Sequence, residues 1–463
     1  MGRITSRVLS EPVTSPSPGP GPVAPARLRI LIVGGGYVGM YTALRLQRQF
    51  RRSEAVVTVV DPQPYMTYQP FLPEAGAGNL EPRHVVVPLR RVLRRCEVLS
   101  GRITSISHES RRAVFEPLEG EPRSLEYDVL VLAPGSIART LPIPGLRECG
   151  IGFRTVAEAI YLRNHVLSKL DVAASARDPE LRRRALTFVF IGGGYAGVEA
   201  MAELEDMARD ALRFYDGLSP ADMRWVMVEA AGRILPEVSE DLGRYTVREL
   251  EKRSIEVKLH TRVDSLVDGE VVLSTGERFA AETVVWTAGV RANPLLEATD
   301  LPLDEKQRVR CLPTLQVSGV ADAWAAGDCA AVPDLSKDDP SAMTSPSAQH
   351  AVRQAKTLAE NLLASFSGGQ LTAYNHSYAG SVASLGLHKG VAEIYGVKLR
   401  GFPAWFMHRT YHMTRMPTFN RKVRVVADWT LALAFRREIV SLGAFANPRE
   451  DFEASVPAEK PTG

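Results

Sequence analysis

The chain has 463 residues, of which 45% are hydrophobic and 24% are charged, and its formal net charge is +3. This length suggests about three structural units, and the balance of residues excludes a disordered or fibrous chain. The mild charge gives no indication of a nucleic-acid partner. The four well-separated cysteines show neither a CxxC pair nor the spacing of a metal site, so we expect mostly buried thiols in a reducing compartment.

The first 27 residues, which include the run Ser15–Pro20, lack apolar residues at core spacing and predict a disordered tail without a signal peptide. No run of about 18 apolar residues occurs anywhere, so we expect no segment that spans a membrane. Peripheral contact with a membrane remains compatible with this pattern.

A strong nucleotide-binding pattern begins at Leu28, where an apolar strand leads through Gly34, Gly36 and Gly39 into a helix. The three glycines serve a tight turn, close approach of a pyrophosphate, and packing of the helix on the strand. A second strand, AVVTVVD, ends at Asp61, which is suited to accept hydrogen bonds from ribose hydroxyls.

The same unit recurs further along the chain in the segment ALTFVFIGGGYAGVEAMAEL, with Gly192, Gly194 and Gly197. Its terminal acid is Glu229, after the strand MRWVMVE. A carboxylate there binds a free ribose 2′-hydroxyl and repels a 2′-phosphate, which favours NADH over NADPH.

Three further segments, one between the two glycine-rich turns and two after them, end in turns of small residues that are suited to close the two sites. Two apolar strands lead to Gly135 and Gly289, and a third leads to Gly327 and Asp328. A carboxylate at such a turn is able to hold a polyhydroxyl chain such as the ribityl group of FAD. The helix that follows carries Gln349, His350 and Gln354.

Taken in order, these segments resemble the flavoproteins with two dinucleotide-binding domains, and specifically type II NADH dehydrogenases, the non-proton-pumping NADH:quinone oxidoreductases. The resemblance covers about residues 28 to 440 and rests on VGGGYVGMYTA, LVLAPGS, IGGGYAGVEAMAEL, VEAAGRILP, VWTAGV, AAGD, SAQHAVRQA, AWFMHRTYHM and NRKVRVVADW.

The resemblance implies an α/β fold in which a second Rossmann-like domain is inserted in the first, followed by a C-terminal amphipathic membrane-binding segment. The expected units are a tail (1–27), an FAD-binding domain in two parts (28–153 and 289–380), an NADH-binding domain (154–288), a membrane-associating region (381–445) and a second tail (446–463).

The resemblance also implies the roles of individual residues. The first glycine set and Asp61 would hold the adenosine part of FAD, Asp328 its ribityl chain, and the second glycine set with Glu229 would hold NADH. Glu199 would lie near the nicotinamide and flavin, and Gln349 would line the flavin and quinone pocket, with His350 beside it.

The implied reaction transfers a hydride from NADH to FAD and two electrons to a quinone, either menaquinone or ubiquinone. We expect a peripheral protein on the cytoplasmic face of the cell membrane, no metal and no nucleic acid, and the sequence is compatible with a homodimer. The membrane prediction rests on nine Lys or Arg against two acids, interleaved with aromatic residues, between Lys398 and Glu438. The alternative is that these aromatics pack on the protein's own core or form a dimer contact.

Other functions stay open at this point. A pyridine-nucleotide disulfide reductase needs a redox CxxC or CxxxxC, which the sequence lacks. A sulfide:quinone reductase would need a cysteine pair, such as Cys149 with Cys311 or Cys329. The third alternative is a redox-sensing protein that binds FAD and NADH but turns over slowly.

Overall fold

The structure is a computed structural model, and it describes residues 27–376, 380–442 and 455. The predicted tails therefore lie outside the described residues, apart from Arg27 and Ser455.

Strands account for much of the two predicted nucleotide-binding units. In chain order the strands are β1 (Leu28–Val33), β2 (Ala55–Asp61), β3 (Tyr65–Thr67), β4 (Val86–Pro88), β5 (Glu97–Ser107), β6 (Arg112–Pro117), β7 (Arg123–Glu126), β8 (Val129–Leu132), β9 (Ser136–Ala138), β10 (Gly150–Gly152), β11 (Thr187–Ile191), β12 (Arg224–Val228), β13 (Ile255–Lys258), β14 (Val263–Ser265), β15 (Glu270–Leu273), β16 (Arg278–Ala280), β17 (Thr283–Trp286), β18 (Val290–Ala292), β19 (Val309–Arg310), β20 (Ala323–Ala325), β21 (Ala330–Ala331), β22 (Gly380–Ser384), β23 (Gly390–Ile394) and β24 (Val397–Arg400).

Helices cover the sheets and form most of the C-terminal part. They are α1 (Tyr37–Gln49), α2 (Leu72–Gly76), α3 (Leu89–Val92), α4 (Leu146–Cys149), α5 (Val156–Ser175), α6 (Pro179–Ala185), α7 (Tyr195–Ala211), α8 (Glu240–Glu251), α9 (Ala348–Phe366), α10 (Phe402–Arg415) and α11 (Phe419–Phe435). Short 3₁₀ helices occur at Gln69–Phe71, Pro82–Val85, Leu212–Phe214, Pro220–Asp222, Val267–Gly269, Pro294–Ala298 and Gly327–Cys329.

The first sheet has the strand order β20-β8-β1-β2-β5-β6-β7, parallel from β20 to β5 and antiparallel beyond. Strand β8 is buried along its whole length, as expected for a parallel strand covered on both faces. Strand β20 pairs with β8 although about 190 residues separate them in the chain. The intervening chain forms the second sheet, so the predicted insertion of one Rossmann-like domain in another is confirmed.

The second sheet has the order β10-β17-β11-β12-β13, and all its pairings are parallel. Its first strand, β10, lies just before residue 154, where we predicted the second domain to begin. In its core Phe188 stacks on Trp225 with ring centroids 4.3 Å apart. The central strands of both sheets, β1 and β11, end at the two glycine-rich turns, the usual position of a ligand site in such sheets.

The C-terminal part consists of the antiparallel sheet β22-β23-β24, with α10 packed on it and α11 packed on α10. Trp405 and His408 of α10 are buried, whereas Phe419 and Leu433 of α11 are 81% and 80% exposed. Within the described ranges, no helix has both the length and the hydrophobicity needed to cross a membrane.

Candidate active site

One large cavity, of about 1130 Å³, is shared by both Rossmann-like domains and the C-terminal part. Of the predicted site residues, it is lined by Gly192, Gly194, Glu199, Glu229, Gly289, Asp328, Gln349 and His350. Further lining residues that we did not predict are Arg139, Arg154, Thr287, Arg353, His376, Tyr411, His412 and Arg415, among others. The remaining predicted residues, Gly34, Gly36, Gly39, Asp61, Gly135, Gly197 and Gly327, lie outside its lining.

The first glycine-rich turn has two crowded glycines and one open glycine. A Cβ on Gly34 would lie 2.2 Å from the carbonyl oxygen of Ala133, and a Cβ on Gly39 would lie 1.8 Å from that of Gly34. By contrast, a Cβ on Gly36 would meet no protein atom within 4 Å. Gly36 caps the N-terminus of α1, so the open space lies where backbone N–H groups favour an anionic phosphate.

The second turn repeats this geometry closely. A Cβ on Gly197 would lie 2.0 Å from the carbonyl oxygen of Gly192, whereas a Cβ on Gly194, which caps α7, would meet nothing within 4 Å. Thr287 stabilises the turn by donating to the carbonyl oxygens of Ile191 and Gly192, both at 3.0 Å. The second turn therefore also leaves room for a pyrophosphate.

Each turn has a carboxylate fixed beside it by backbone N–H groups. Asp61 accepts from the N–H of Gly35 at 2.6 Å and of Gln63 at 2.7 Å. Glu229 accepts from the N–H of Gly193 at 2.6 Å and of Ala231 at 2.7 Å. Each carboxylate oxygen has a further lone pair, so both are able to accept ribose hydroxyls without losing these bonds. Burial raises the pKa of Asp61, and the two N–H donors oppose that rise.

Asp328 belongs to a polar chain that crosses between segments far apart in sequence. Ser136 Oγ donates to Asp328 at 2.6 Å, and Arg154 in turn donates to Ser136 Oγ at 3.1 Å. Gln354, which is fully buried, accepts from the N–H of Gly327 at 2.7 Å and so fixes the turn that presents Asp328. The sequence does not show these contacts of Ser136, Arg154 and Gln354, because each contact joins segments that are separated along the chain.

Gln349 and His350 lie in the first turn of α9, which Ser347 caps. Gln349 Nε2 donates to the carbonyl oxygen of Gly380 at 3.0 Å. The ring nitrogen Nδ1 of His350 lies 2.8 Å from the hydroxyl of Tyr374. Burial lowers the pKa of His350, so its imidazole is neutral near pH 7.

Glu199 is 6% exposed and has partners from the C-terminal part. Its Oε1 accepts from the backbone N–H of Ser384 at 2.9 Å and lies 3.2 Å from Nε2 of His408 on α10. Burial opposes a charge on His408, but the bond to Glu199 and the nearby acids outweigh it and raise the pKa of His408. This pair links Glu199, which lines the cavity, to α10 of the C-terminal part.

A second buried acid, Glu203, lies one helical turn further along α7. It accepts from Asn79 at 3.0 Å and from the hydroxyl of Ser384 at 2.9 Å. Burial, and then repulsion from Glu74, raise the pKa of Glu203 to about 7. We did not predict Glu203, although its i, i+4 spacing from Glu199 puts both acids on one helix face.

The four cysteines do not form the pair that a sulfide:quinone reductase would need. All four are free, and none of them lines the cavity. Cys311 and Cys329 pack in the core of the first domain, whereas Cys149 packs against the core below the second sheet. Burial raises the pKa of Cys96 and of Cys329 to about 12, so these thiols are neutral and poor nucleophiles.

The sequence pattern of the family described as pyridine nucleotide-disulphide oxidoreductase matches residues 28–355. A relative from Mycobacterium tuberculosis, named a type II NADH:quinone oxidoreductase, is 27% identical and covers 96% of this chain and 97% of its own length. A relative of the same description from Staphylococcus aureus is 29% identical and covers 84% of this chain and 94% of its own.

Two solved structures are similar in fold. The structure of NDH2 from Plasmodium falciparum in complex with NADH has a TM-score of 0.83 at 17% identity and covers 90% of this chain and all of its own. The sulfide:quinone oxidoreductase of Aquifex aeolicus has a TM-score of 0.66 at 16% identity and covers 89% and 96%. At these identities the likeness concerns the fold alone.

Proposed function

The chain belongs to the pyridine nucleotide-disulphide oxidoreductase family, and from this premise we propose that it is a type II NADH:quinone oxidoreductase that uses FAD and does not pump protons. The proposal rests on one observation. Each domain has a glycine-rich turn with a carboxylate fixed beside it, and one cavity is lined by Glu229, Glu199, Asp328 and Gln349. The relatives' names agree with this reaction.

The residues of the first domain fit FAD. The open space at Gly36 suits its pyrophosphate, Asp61 suits the adenosine ribose, and Asp328 suits the ribityl chain. Gly135, which has a φ of +69° and open space around it, supplies a further turn near Ser136. When bound, FAD supplies the two-electron chemistry of its ring, and the protein contributes position and electrostatics.

The second domain fits NADH in the same way. Gly194 leaves space for the pyrophosphate, and Glu229 is held where a ribose hydroxyl is expected. Gly289 has a φ of +88° and lines the cavity without crowding it. The carboxylate of Glu229 disfavours a 2′-phosphate, so we propose NADH rather than NADPH as the donor.

Glu199 and His408 are proposed to hold a proton at the cavity wall. Reduction of a quinone consumes protons as well as electrons, and the raised pKa of His408 keeps a proton 3.2 Å from Glu199 Oε1. Gln349 is proposed to bind the quinone, because it lines the cavity from the first turn of α9.

We further propose a peripheral position on the cytoplasmic face of the cell membrane. Phe402, Phe406, Phe419 and Phe435 of the last two helices are between 55% and 81% exposed. They lie among basic side chains such as Lys422 and Arg424, a combination that favours an anionic lipid surface. The same apolar surface would also suit the interface of a homodimer. Size-exclusion chromatography in detergent, which measures the oligomeric state, would distinguish a dimer from lipid binding.

The test of the proposed reaction is the visible spectrum of the purified protein. We expect a yellow protein with non-covalent FAD, bleached by NADH without oxygen and restored by a soluble quinone. A folded protein that stays colourless with added FAD would end the proposal. A flavin that bleaches but is not restored by any quinone would instead favour the redox-sensing alternative.

A further inference from the structure

The amide of Gln349 is held from two sides. On one side its Nε2 donates to the carbonyl oxygen of Gly380, at the start of β22, over 3.0 Å. On the other side its Oε1 accepts from Nη1 of Arg353, one helical turn later, over 3.1 Å. All three residues line the cavity. These bonds fix which end of the amide is nitrogen, and they leave one N–H and one oxygen lone pair unused.

Arg353 carries a charge that is not neutralised locally. Within the described part of the chain it forms no salt bridge, and the nearby carboxylate of Asp334 pairs with Lys337 instead. The two imidazoles that face Arg353, those of His350 and His376, both have pKa values lowered, first by burial and also by Arg353 itself. Both rings are therefore neutral, and Arg353 supplies the positive charge at this end of the cavity.

A positive group on an amide oxygen draws electron density from the amide, which makes its N–H a stronger donor. A quinone carbonyl oxygen becomes more negative as the quinone accepts electrons, so a strengthened donor stabilises the product more than the substrate. We propose that Arg353 is a positioning residue that orients and polarises the amide of Gln349 toward a carbonyl oxygen of the quinone. This inference rests on the proposed function.

A simple i, i+4 pair on a helix surface would show the same Arg–Gln contact without such a role. The arrangement differs from that case in two respects. Both side chains face the cavity, and Gln349 is tied to a separate strand, so loss of Arg353 changes the amide's polarity while Gly380 still holds its nitrogen.

The test compares Arg353→Gln with Lys356→Gln, which removes one positive charge from the same helix at a side chain that is 61% exposed and outside the cavity lining. Stopped-flow absorbance separates flavin reduction by NADH from reoxidation by 2-methyl-1,4-naphthoquinone. A charge-assisted hydrogen bond is about twice as strong as a neutral one, so we expect reoxidation to slow about fivefold in Arg353→Gln. Reduction by NADH should be unchanged, and Lys356→Gln should match the wild type in both steps.

Equilibrium binding gives a second readout that does not depend on turnover. Calorimetric titration of the oxidised protein with the same quinone should show a weaker Kd in Arg353→Gln, but by less than the loss in reoxidation, about twofold, because the oxidised carbonyl oxygen carries less negative charge. Arg353→Lys keeps the charge and should recover part of both losses, and it also serves if Arg353→Gln fails to fold. If Arg353→Lys is as impaired as Arg353→Gln, polarisation by charge is wrong.

A double-mutant comparison tests whether Arg353 acts through Gln349. In a Gln349→Leu background, Arg353→Gln should have no further effect on reoxidation. A full fivefold loss in that background would mean that Arg353 contacts the quinone directly. Equal slowing of both half-reactions in Arg353→Gln alone would mean that Arg353 has a general structural role. Either result overturns the inference. If the wild type is not reoxidised by quinone at all, the proposed function fails rather than this inference alone.

Discussion

Both oxygens of Glu229 are engaged by backbone N–H groups, which fixes the carboxylate beside the second glycine-rich turn. Glu229→Gln keeps an oxygen acceptor for one of these bonds but removes the charge. Like charges about 4 Å apart at a partly wet site repel by on the order of 4 kcal/mol, so the preference for NADH over NADPH should fall by at least about tenfold. Steady-state kcat/KM for the two donors measures this.

Glu240→Gln is the matched control, since Glu240 is an exposed acid of the same domain that lies outside the cavity lining. It should leave the ratio of kcat/KM values unchanged. Equal kcat/KM for NADH and NADPH in the wild type would show that Glu229 does not select the donor.

His408 gives the protein a pH dependence whose sign follows from its raised pKa. The stabilisation by the bond to Glu199 is fully present below the ordinary histidine pKa of about 6.5 and is lost as the pH rises through the folded value. The wild type should therefore exceed His408→Gln in stability by about 1–2 kcal/mol near pH 5.5, and by less near pH 9.

Thermal unfolding across this pH range, at saturating FAD, measures the difference. Glu203→Gln is needed for comparison, because the pKa of Glu203 is raised to about 7 and its own titration falls in the same range. A gap between wild type and His408→Gln that grows with pH would contradict the assignment of the proton to His408.

At the scale of elements, the last two helices have one anchored face and one free face. Glu74 of α2 accepts from Arg409 of α10 and from Trp429 of α11, both at 2.8 Å, and His84 pairs with Asp428 at 2.6 Å. The sequence predicted a basic, aromatic and amphipathic segment here but did not show which aromatics point inward. Trp429 packs edge-on against Phe71, a contact set by residues more than 300 positions away.

Substitutions on the free face of α11 test membrane binding more sharply than a deletion of the C-terminal helices would. Removing the chain from Gly401 onward would also remove His408, the partner of Glu199. The double substitution Phe419→Ser and Leu433→Ser instead changes two exposed residues fourteen positions apart. Burying each such side chain is worth roughly 1.5–3 kcal/mol, so partition onto anionic liposomes should weaken at least tenfold.

Leu118→Ser is the control for this experiment, because Leu118 is 67% exposed but lies in the turn between β6 and β7. It should sediment with liposomes as the wild type does. NADH-driven bleaching of the flavin should be equal in all three proteins. Liposome binding that is unaffected by the double substitution would place the membrane surface elsewhere.

At the scale of the whole molecule, the proposed FAD site combines residues from both sides of the inserted domain, namely the turn at Gly36 and the segment from Gly327 to Gln354. Bound FAD should therefore stabilise the first domain as a unit, by about 2.7 kcal/mol at a concentration of 100 Kd. Gly36→Val should lose FAD while the apoprotein keeps its Tm, because a Cβ there would meet no protein atom within 4 Å.

Gly39→Val is the matched comparison, since its side chain would meet the carbonyl oxygen of Gly34 and should lower the Tm of the apoprotein itself. Differential scanning fluorimetry with and without FAD distinguishes the two effects. Tight FAD binding by Gly36→Val would show that the pyrophosphate does not approach this turn.

The sequence predicted the features that depend on local patterns and missed the contacts that depend on distant partners. The strands, glycine-rich turns and terminal acids follow from short, regular patterns, and the structure has them at the predicted positions. Gln354, Ser136 and His408 lie in segments that carry the family resemblance, but those segments do not show what each side chain contacts. Their roles depend on partners at Gly327, Asp328 and Glu199, and only the folded chain brings these together.

The pairing of β20 with β8 imposes an order on synthesis. A ribosome adds about 5–20 residues per second, so roughly 10 to 40 seconds pass between the emergence of β8 and that of β20. The inserted domain is completed before β20 emerges, while the edge of β8 that later receives β20 has no partner strand and Asp328 has not been made. We therefore expect the proposed nicotinamide-nucleotide turn to be complete in the nascent chain before the proposed flavin site is.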